Sequence, residues 1–145
     1  MIALIQRVSR ASVTVEGERI ATIGAGMLAL IGIERGDGHN NAKRMLERLL
    51  SYRIFPDAAG RMNQSLQDVE GGLLLVPQFT LAADTSKGTR PGFSTAAAPE
   101  DAQAMFHTLL GLAHNAHANV ASGRFGAHMA VELVNEGPVT FRLKA

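Results

Sequence analysis

The sequence predicts an α+β fold: one domain over residues 1–145, built on a largely antiparallel, barrel-like sheet with two main helices. Three patterns predict it. Short apolar or alternating runs rich in Val and Ile fill the region before residue 34. Two separate stretches, after Asp37 and after Pro99, carry apolar residues at helical spacing. Alternation then returns between Met129 and Leu143. No internal repeat, low-complexity tract or linker divides the chain.

Residues 2–9 alternate with Ile2 and Leu4 on one face, and residues 12–16 form a second, β-branched strand. Gly17-Glu18 reads as a tight turn into residues 19–23, and Gly24-Ala25-Gly26 breaks the chain before 27–33. That last run is almost continuously apolar, which predicts a central strand buried on both faces. The four strands together read as a meander. The first helix is capped by the residues 37–40 and runs to about Leu50, burying Ala42, Met45, Leu46, Leu49 and Leu50.

A short strand follows at 53–55, then a polar stretch at 61–70 expected to hold one irregular turn. Residues 73–76 are a second buried strand and run directly into Pro77-Gln78-Phe79-Thr80-Leu81. Residues 84–98 are loop chemistry, long enough to suggest a use. Pro99 sits where a first helical residue belongs, and Ala102, Met105, Phe106, Leu109, Leu110 and Ala113 give the second helix its buried stripe. Ser122-Gly123-Arg124-Phe125-Gly126 is a glycine-bearing loop, and two short strands flanking Gly137-Pro138 close the chain.

Composition narrows the function. With 46% apolar and 19% charged residues the chain falls in the globular range, which excludes intrinsic disorder. It has no Cys, which removes disulfides and thiolate chemistry. Gln6 and Arg7 interrupt the N-terminal apolar run too soon for a signal peptide. No run approaches the roughly 20 apolar residues of a membrane span. The expected location is the cytoplasm. A net charge of +1 argues against wrapping a long duplex, so any nucleic-acid contact should be local.

The phosphate-binding loop, the serine-hydrolase elbow and the zinc-protease helix motif are all missing. His107, His114 and His117 lack a carboxylate partner at ligand spacing and read as ordinary surface histidines; no metal or cofactor site is expected. Gln78-Phe79-Thr80 is more informative, because it lies at the end of a buried strand. A Gln amide, a Thr hydroxyl and backbone N–H groups can converge there on an oxyanion, or merely satisfy the strand end. Thr80 has no local base, so a hydrolytic site here would draw part of its catalysis from the substrate. Gly137-Pro138 also has two readings, a plain turn or a main-chain carbonyl aimed at a ligand.

Gln-Phe-Thr-Leu at 78–81 and Asn-Glu-Gly-Pro-Val-Thr-Phe at 135–141 resemble the two signature motifs of D-aminoacyl-tRNA deacylases. The first 13 residues, Tyr-Arg-Ile-Phe at 52–55 and Gly-Arg-Phe-Gly at 123–126 resemble the same family, so the likeness runs the length of the chain. The resemblance implies an editing hydrolase that cleaves the ester between a D-amino acid and the terminal adenosine of tRNA, and that also accepts mischarged glycyl-tRNA. It implies a homodimer in which Gly137 and a cis Pro138 enter the partner's active site and obstruct an L side chain. Arg7 is implied to hold that pair, and Phe125 and Met129 to neighbour the pocket. Gln78 and Thr80 are the implied catalytic residues, with the amides of Phe79 and Thr80 holding the carbonyl or the ribose. The resemblance also implies assistance from the ribose 2′-OH, with Thr80 expected to position rather than attack. Lys87 and Arg90 are candidates for acceptor-end phosphates. One position departs from the pattern: the family usually has Ser before Gln-Phe-Thr-Leu, where this chain has Pro77. A paralogous branch carries proline there, which brings stringency toward glycyl and L-substrates into question. A tRNA-end binding module and an esterase for small metabolites are the competing readings.

Overall fold

The computed structural model describes residues 1–145. Its organising element is β1 (Ile2–Val15), a single long strand where two were expected. One edge of β1 pairs antiparallel with β3 (Gly26–Gly32) through residues 2–8 and with β2 (Glu18–Ile23) through residues 11–15. The other edge pairs antiparallel with β8 (Ala130–Lys144) along its whole length. The meander is therefore a strand shared by two partners on one side and one on the other. The β1–β2 turn is Glu16-Gly17, one residue earlier than expected, with φ of 51° and 83°. Positive φ at both central residues is what a two-residue hairpin turn needs to match strand twist.

Beyond β3 the sheet changes sense: β6 (Gly72–Pro77) is parallel to β3, and β7 (Val120–Ser122) is parallel to β6. Parallel neighbours need crossovers, and α1 (His39–Ser51) and α2 (Pro99–Ala116) lie in those two connections. The polar stretch contributes a strand as well as a turn, because β4 (Phe55–Pro56) pairs with β5 (Met62–Gln64) in a small hairpin. β2 also lies beside β6 and β7, which curls the sheet into a nearly closed barrel.

The period-2 alternation of the central strands explains the core. Leu73 and Leu75 pack with Met27, Ala29 and Ile31 beneath both helices, while Leu74, Val76 and Leu28 face the inside of the curl with Val8, Val13 and Ile23. Both central strands are thus buried on both faces, as expected. The stripe on α1 is the expected one, and on α2 Ala102, Phe106, Leu109 and Ala113 are fully buried, with Met105 and Leu110 packed half-exposed against them. His117 is not an ordinary surface residue: its ring nitrogen meets the Gly71 carbonyl at 2.6 Å and ties the end of α2 to the start of β6.

Candidate active site

β6 delivers the first motif. At its end the Gln78 N–H donates to the Ile31 carbonyl at 2.7 Å, extending the parallel ladder by one bond. The chain then tightens into a 3-10 turn, Phe79–Ala82. This turn presses on Gly32 at the end of β3, where a Cβ would stand 2.9 Å from that of Leu81. Leu81 donates to the Gln78 carbonyl, so the amides of Phe79 and Thr80 precede the first bonded donor of the turn. The Gln78 side-chain amide donates to the Thr80 hydroxyl at 2.5 Å. No base touches Thr80.

A cleft of about 440 Å³ opens beside this turn, walled by Pro77, Gln78, Phe79, Ala102, Phe125 and Met129 among others. The structure therefore brings Gln78, Phe79, Phe125 and Met129 together, with the Thr80 side chain outside the cleft wall. The glycine of the 123–126 loop makes that packing possible: a Cβ on Gly123 would stand 2.7 Å from the Met129 sulfur and 3.4 Å from Pro77 Cδ. Phe125 is anchored from behind by Phe106 of α2, with ring centroids 6.3 Å apart. The wall is mostly apolar, with the Gln78 amide and the His128 imidazole as its polar side chains, as small-molecule sites are.

Arg7, Gly137 and Pro138 form a second group. The two limbs of β8 do not form a hairpin, because both pair with β1 in the same sense: Gln6 faces Thr140 and Val8 faces Asn135. Residues 136–139 therefore bulge out opposite Arg7 alone, and the bland turn reading is replaced by a loop thrown out of a continuous strand. The Gly137–Pro138 bond is cis, and Gly137 has φ of 135°, a backbone conformation that disfavours a side chain.

Side chains hold the bulge. Asn135 accepts from the Val139 N–H at 2.8 Å and donates to the Thr140 hydroxyl at 2.9 Å, which also accepts from Gln6 at 3.2 Å. Arg7 Nε donates to the Glu136 carbonyl at 3.0 Å, and its other arm to the Ile54 carbonyl at 2.7 Å. The parts played by Asn135 and Gln6 went unread in the sequence, although an Asn and a Thr flanking a Gly-Pro pair were a usable signal. Gly137 and Pro138 are exposed and border no part of the Gln78 cleft.

The loop carboxylate Asp84 is held below its ordinary value by hydrogen bonds from Ser86. Lys87 and Arg90 are exposed, and neither forms an ion pair. A separate groove of about 530 Å³ over Arg10, Ser12, Arg19 and Glu132 contains no residue of 78–81 or 135–141. No three His, Asp or Glu side chains converge as a metal would require, and no helix is long and apolar enough to cross a membrane.

The family model and the curated relatives agree on one family. The sequence model described as D-Tyr-tRNA(Tyr) deacylase matches residues 4–144. A D-aminoacyl-tRNA deacylase of Azotobacter vinelandii is 63% identical over 145 residues, with 100% of each chain covered. A solved structure named c-Myc DNA Unwinding Element Binding Protein is similar with a TM-score of 0.96 and 37% identity, over 100% of this chain and 99% of that one. A probable eukaryotic D-amino acid tRNA deacylase, 18% identical, shares the fold with a TM-score of 0.84 over 99% and 98% of the two chains.

Proposed function

The chain belongs to the D-Tyr-tRNA(Tyr) deacylase family and is a hydrolase of D-aminoacyl-tRNA, and on that premise we propose how its two residue groups divide the work. The cleft beside Gln78 takes the aminoacylated terminal nucleoside. The Gly137-Pro138 bulge of one protomer reaches the cleft of its partner in a homodimer, and there selects the enantiomer. The observation that carries this reading is the outward presentation of Gly137 and Pro138, exposed and away from the cleft of their own chain. An element braced by Arg7 and Asn135 but facing solvent has its target on another molecule. β8 pairs with β1 on one edge only, so its free edge is available to a second copy.

Selection follows from tetrahedral geometry. With the amino and carboxyl groups of the substrate fixed, the L side chain occupies the direction that the D enantiomer fills with hydrogen. A Gly137 carbonyl set in that direction rejects L esters by contact and admits D-aminoacyl and glycyl esters. Discrimination rests on exclusion, and the D side chain is left facing open space.

Hydrolysis needs little from the protein beyond placement. Water adds to the ester carbonyl carbon, and the oxyanion is met by the amides of Phe79 and Thr80. The bond to the ribose oxygen then breaks, that oxygen takes a proton relayed through the vicinal 2′-OH, and the free amino acid and tRNA leave. Gln78 orients the Thr80 hydroxyl and the ribose; Thr80 is not the nucleophile, having only an amide donor beside it. The reaction runs in the cytoplasm, where charged tRNA is used.

The test is release of amino acid from D-tyrosyl-tRNA, L-tyrosyl-tRNA and glycyl-tRNA. Rapid loss of the D ester with the L ester spared is expected, and equal cleavage of both enantiomers would remove the Gly137 filter. A D ester on a 2′-deoxy terminus should turn over far more slowly. Undiminished turnover there would favour an esterase acting without the ribose.

A further inference from the structure

Large apolar side chains left on a surface call for an explanation when they cluster. Phe79 is 58% exposed, the most of any large apolar side chain in the chain, and Phe93 is 41% exposed. They come from different segments yet stand together, ring centroids 5.1 Å apart and tilted by 42°. Phe79 borders the cleft, whereas Phe93 is not part of its wall. The pair thus extends the cleft outward by one ring.

The segment that carries Phe93 is held in place. Asp84 and Gly92 exchange both backbone hydrogen bonds, at 2.8 and 2.9 Å, and close off the residues between them. The Thr95 hydroxyl donates to the Ala82 carbonyl at the end of the 3-10 turn. Arg35 N–H donates to the Thr95 carbonyl at 2.9 Å, and Ala97 N–H to the Ile33 carbonyl at 3.1 Å. The exposed ring is therefore preorganised by its backbone. Lys87 and Arg90, the unpaired cations noted above, lie within the closed loop.

Two exposed rings held together beside the base of a loop that carries two free cations suit single-stranded nucleic acid, whose bases stack on aromatic faces while its phosphates meet Lys and Arg. We propose that Phe93, paired with Phe79, is the stacking platform for the unpaired nucleotide that precedes the terminal nucleoside of the tRNA substrate. The inference rests on the reading that the Gln78 cleft takes the terminal nucleoside. Given that, the next base reaches the outer ring, and Lys87 and Arg90 are the free cations of the adjoining loop available to its phosphate. Stacking of this kind is indifferent to base identity, as a site serving many tRNAs requires.

The test compares D-tyrosyl-tRNA with D-tyrosyl-adenosine, which lacks the preceding nucleotide, on Phe93→Ala, Phe93→Leu and Phe93→Trp. Expected for Ala and Leu is a rise in KM of about tenfold on D-tyrosyl-tRNA with kcat unchanged, within the usual range for one lost stack. Trp should retain the wild-type KM, and all three should match wild type on D-tyrosyl-adenosine. A Leu variant equal to wild type on tRNA, or equal losses on both substrates, would overturn the platform. A fall in oligomeric mass in the Ala variant would also overturn it, by assigning the ring to contact with a second copy. Gln78→Ala separates the two levels of inference: if it leaves D-tyrosyl-adenosine hydrolysis intact, the cleft reading fails; if it abolishes hydrolysis while Phe93→Ala changes nothing, only the platform fails.

Discussion

Arg7 and Glu136 face each other across the β1–β8 pairing, where the guanidinium Nε–H reaches the Glu136 main-chain carbonyl at 3.0 Å. The same guanidinium donates to Ile54 at 2.7 Å, so one side chain ties the bulge to the segment leaving α1. Lysine keeps the charge but not the fixed fork that serves two carbonyls in different directions. Arg7→Lys should therefore lower the ratio of D- to L-tyrosyl-tRNA hydrolysis by about tenfold, equivalent to ~1.4 kcal/mol of lost rejection. The D rate should stay within a factor of about two. Parallel single-turnover assays on the two esters measure it, and an unchanged ratio would detach Arg7 from the filter.

Much of this arrangement could be read from residue patterns, and the part that could not has a common cause. Burial on both faces of β3 and β6 was legible because continuous apolar runs are a local property, and the two helices were legible from their stripes. The joining of residues 2–15 into one strand was not, because a long strand that changes partners midway carries no local mark. The shape around Gly137 was misjudged for the same reason. A Gly-Pro pair between alternating runs fits a hairpin turn, and only the register of both limbs on β1 shows it to be a bulge. The contact between Gln78 and Thr80 was legible because the two residues are close in sequence. Arg7 was placed through a family likeness, because its contacts lie 129 and 47 residues away along the chain.

The Gln78–Thr80 contact separates a positioning role from a nucleophilic one. Thr80→Val keeps the branched shape and removes the hydroxyl that accepts from Gln78 at 2.5 Å. If Thr80 only orients, kcat for D-tyrosyl-tRNA falls about 10- to 100-fold; Gln78→Ala, which removes a donor beside the amides proposed to hold the oxyanion, falls about 100- to 1,000-fold. A Thr80→Val rate indistinguishable from spontaneous ester hydrolysis would reinstate Thr80 as the attacking group.

Glu34 sets an acid limit on stability. Burial by itself raises its pKa, but hydrogen bonds from Lys144 and the N-terminal ammonium, with their charges, outweigh that and hold it below the ordinary glutamate value of 4.5. The contacts measure 3.0 and 3.1 Å. A carboxyl depressed in the folded state stabilises fully above its unfolded value, and the contribution is lost as pH falls through the folded value. Wild-type stability should thus begin to decline below about pH 4.5. Glu34→Gln should cost about 1–2 kcal/mol at pH 7 and flatten that decline. Urea unfolding at pH 7, 5 and 3.5 reads both effects, and an unaltered acid slope would assign it to other carboxylates.

Pro77 is the position where the first motif departs from its family pattern, and its surroundings suggest what the change does. It is the last residue of β6, borders the cleft and lies under the Gly123 segment that carries Met129 over it. Its neighbour Gln78 takes up the ladder bond to Ile31, so the strand end holds without an N–H from residue 77. Serine there adds a hydroxyl and an N–H to the cleft wall while leaving that ladder bond in place. Pro77→Ser should therefore leave D-tyrosyl-tRNA hydrolysis within about threefold of wild type, and shift the glycyl-tRNA rate by more than that, because a glycyl ester, with no Cβ to restrict it, has more freedom of pose in the cleft. Rates on D-, L- and glycyl esters measured side by side decide it: identical values in both proteins would show that the wall at residue 77 plays no part in stringency.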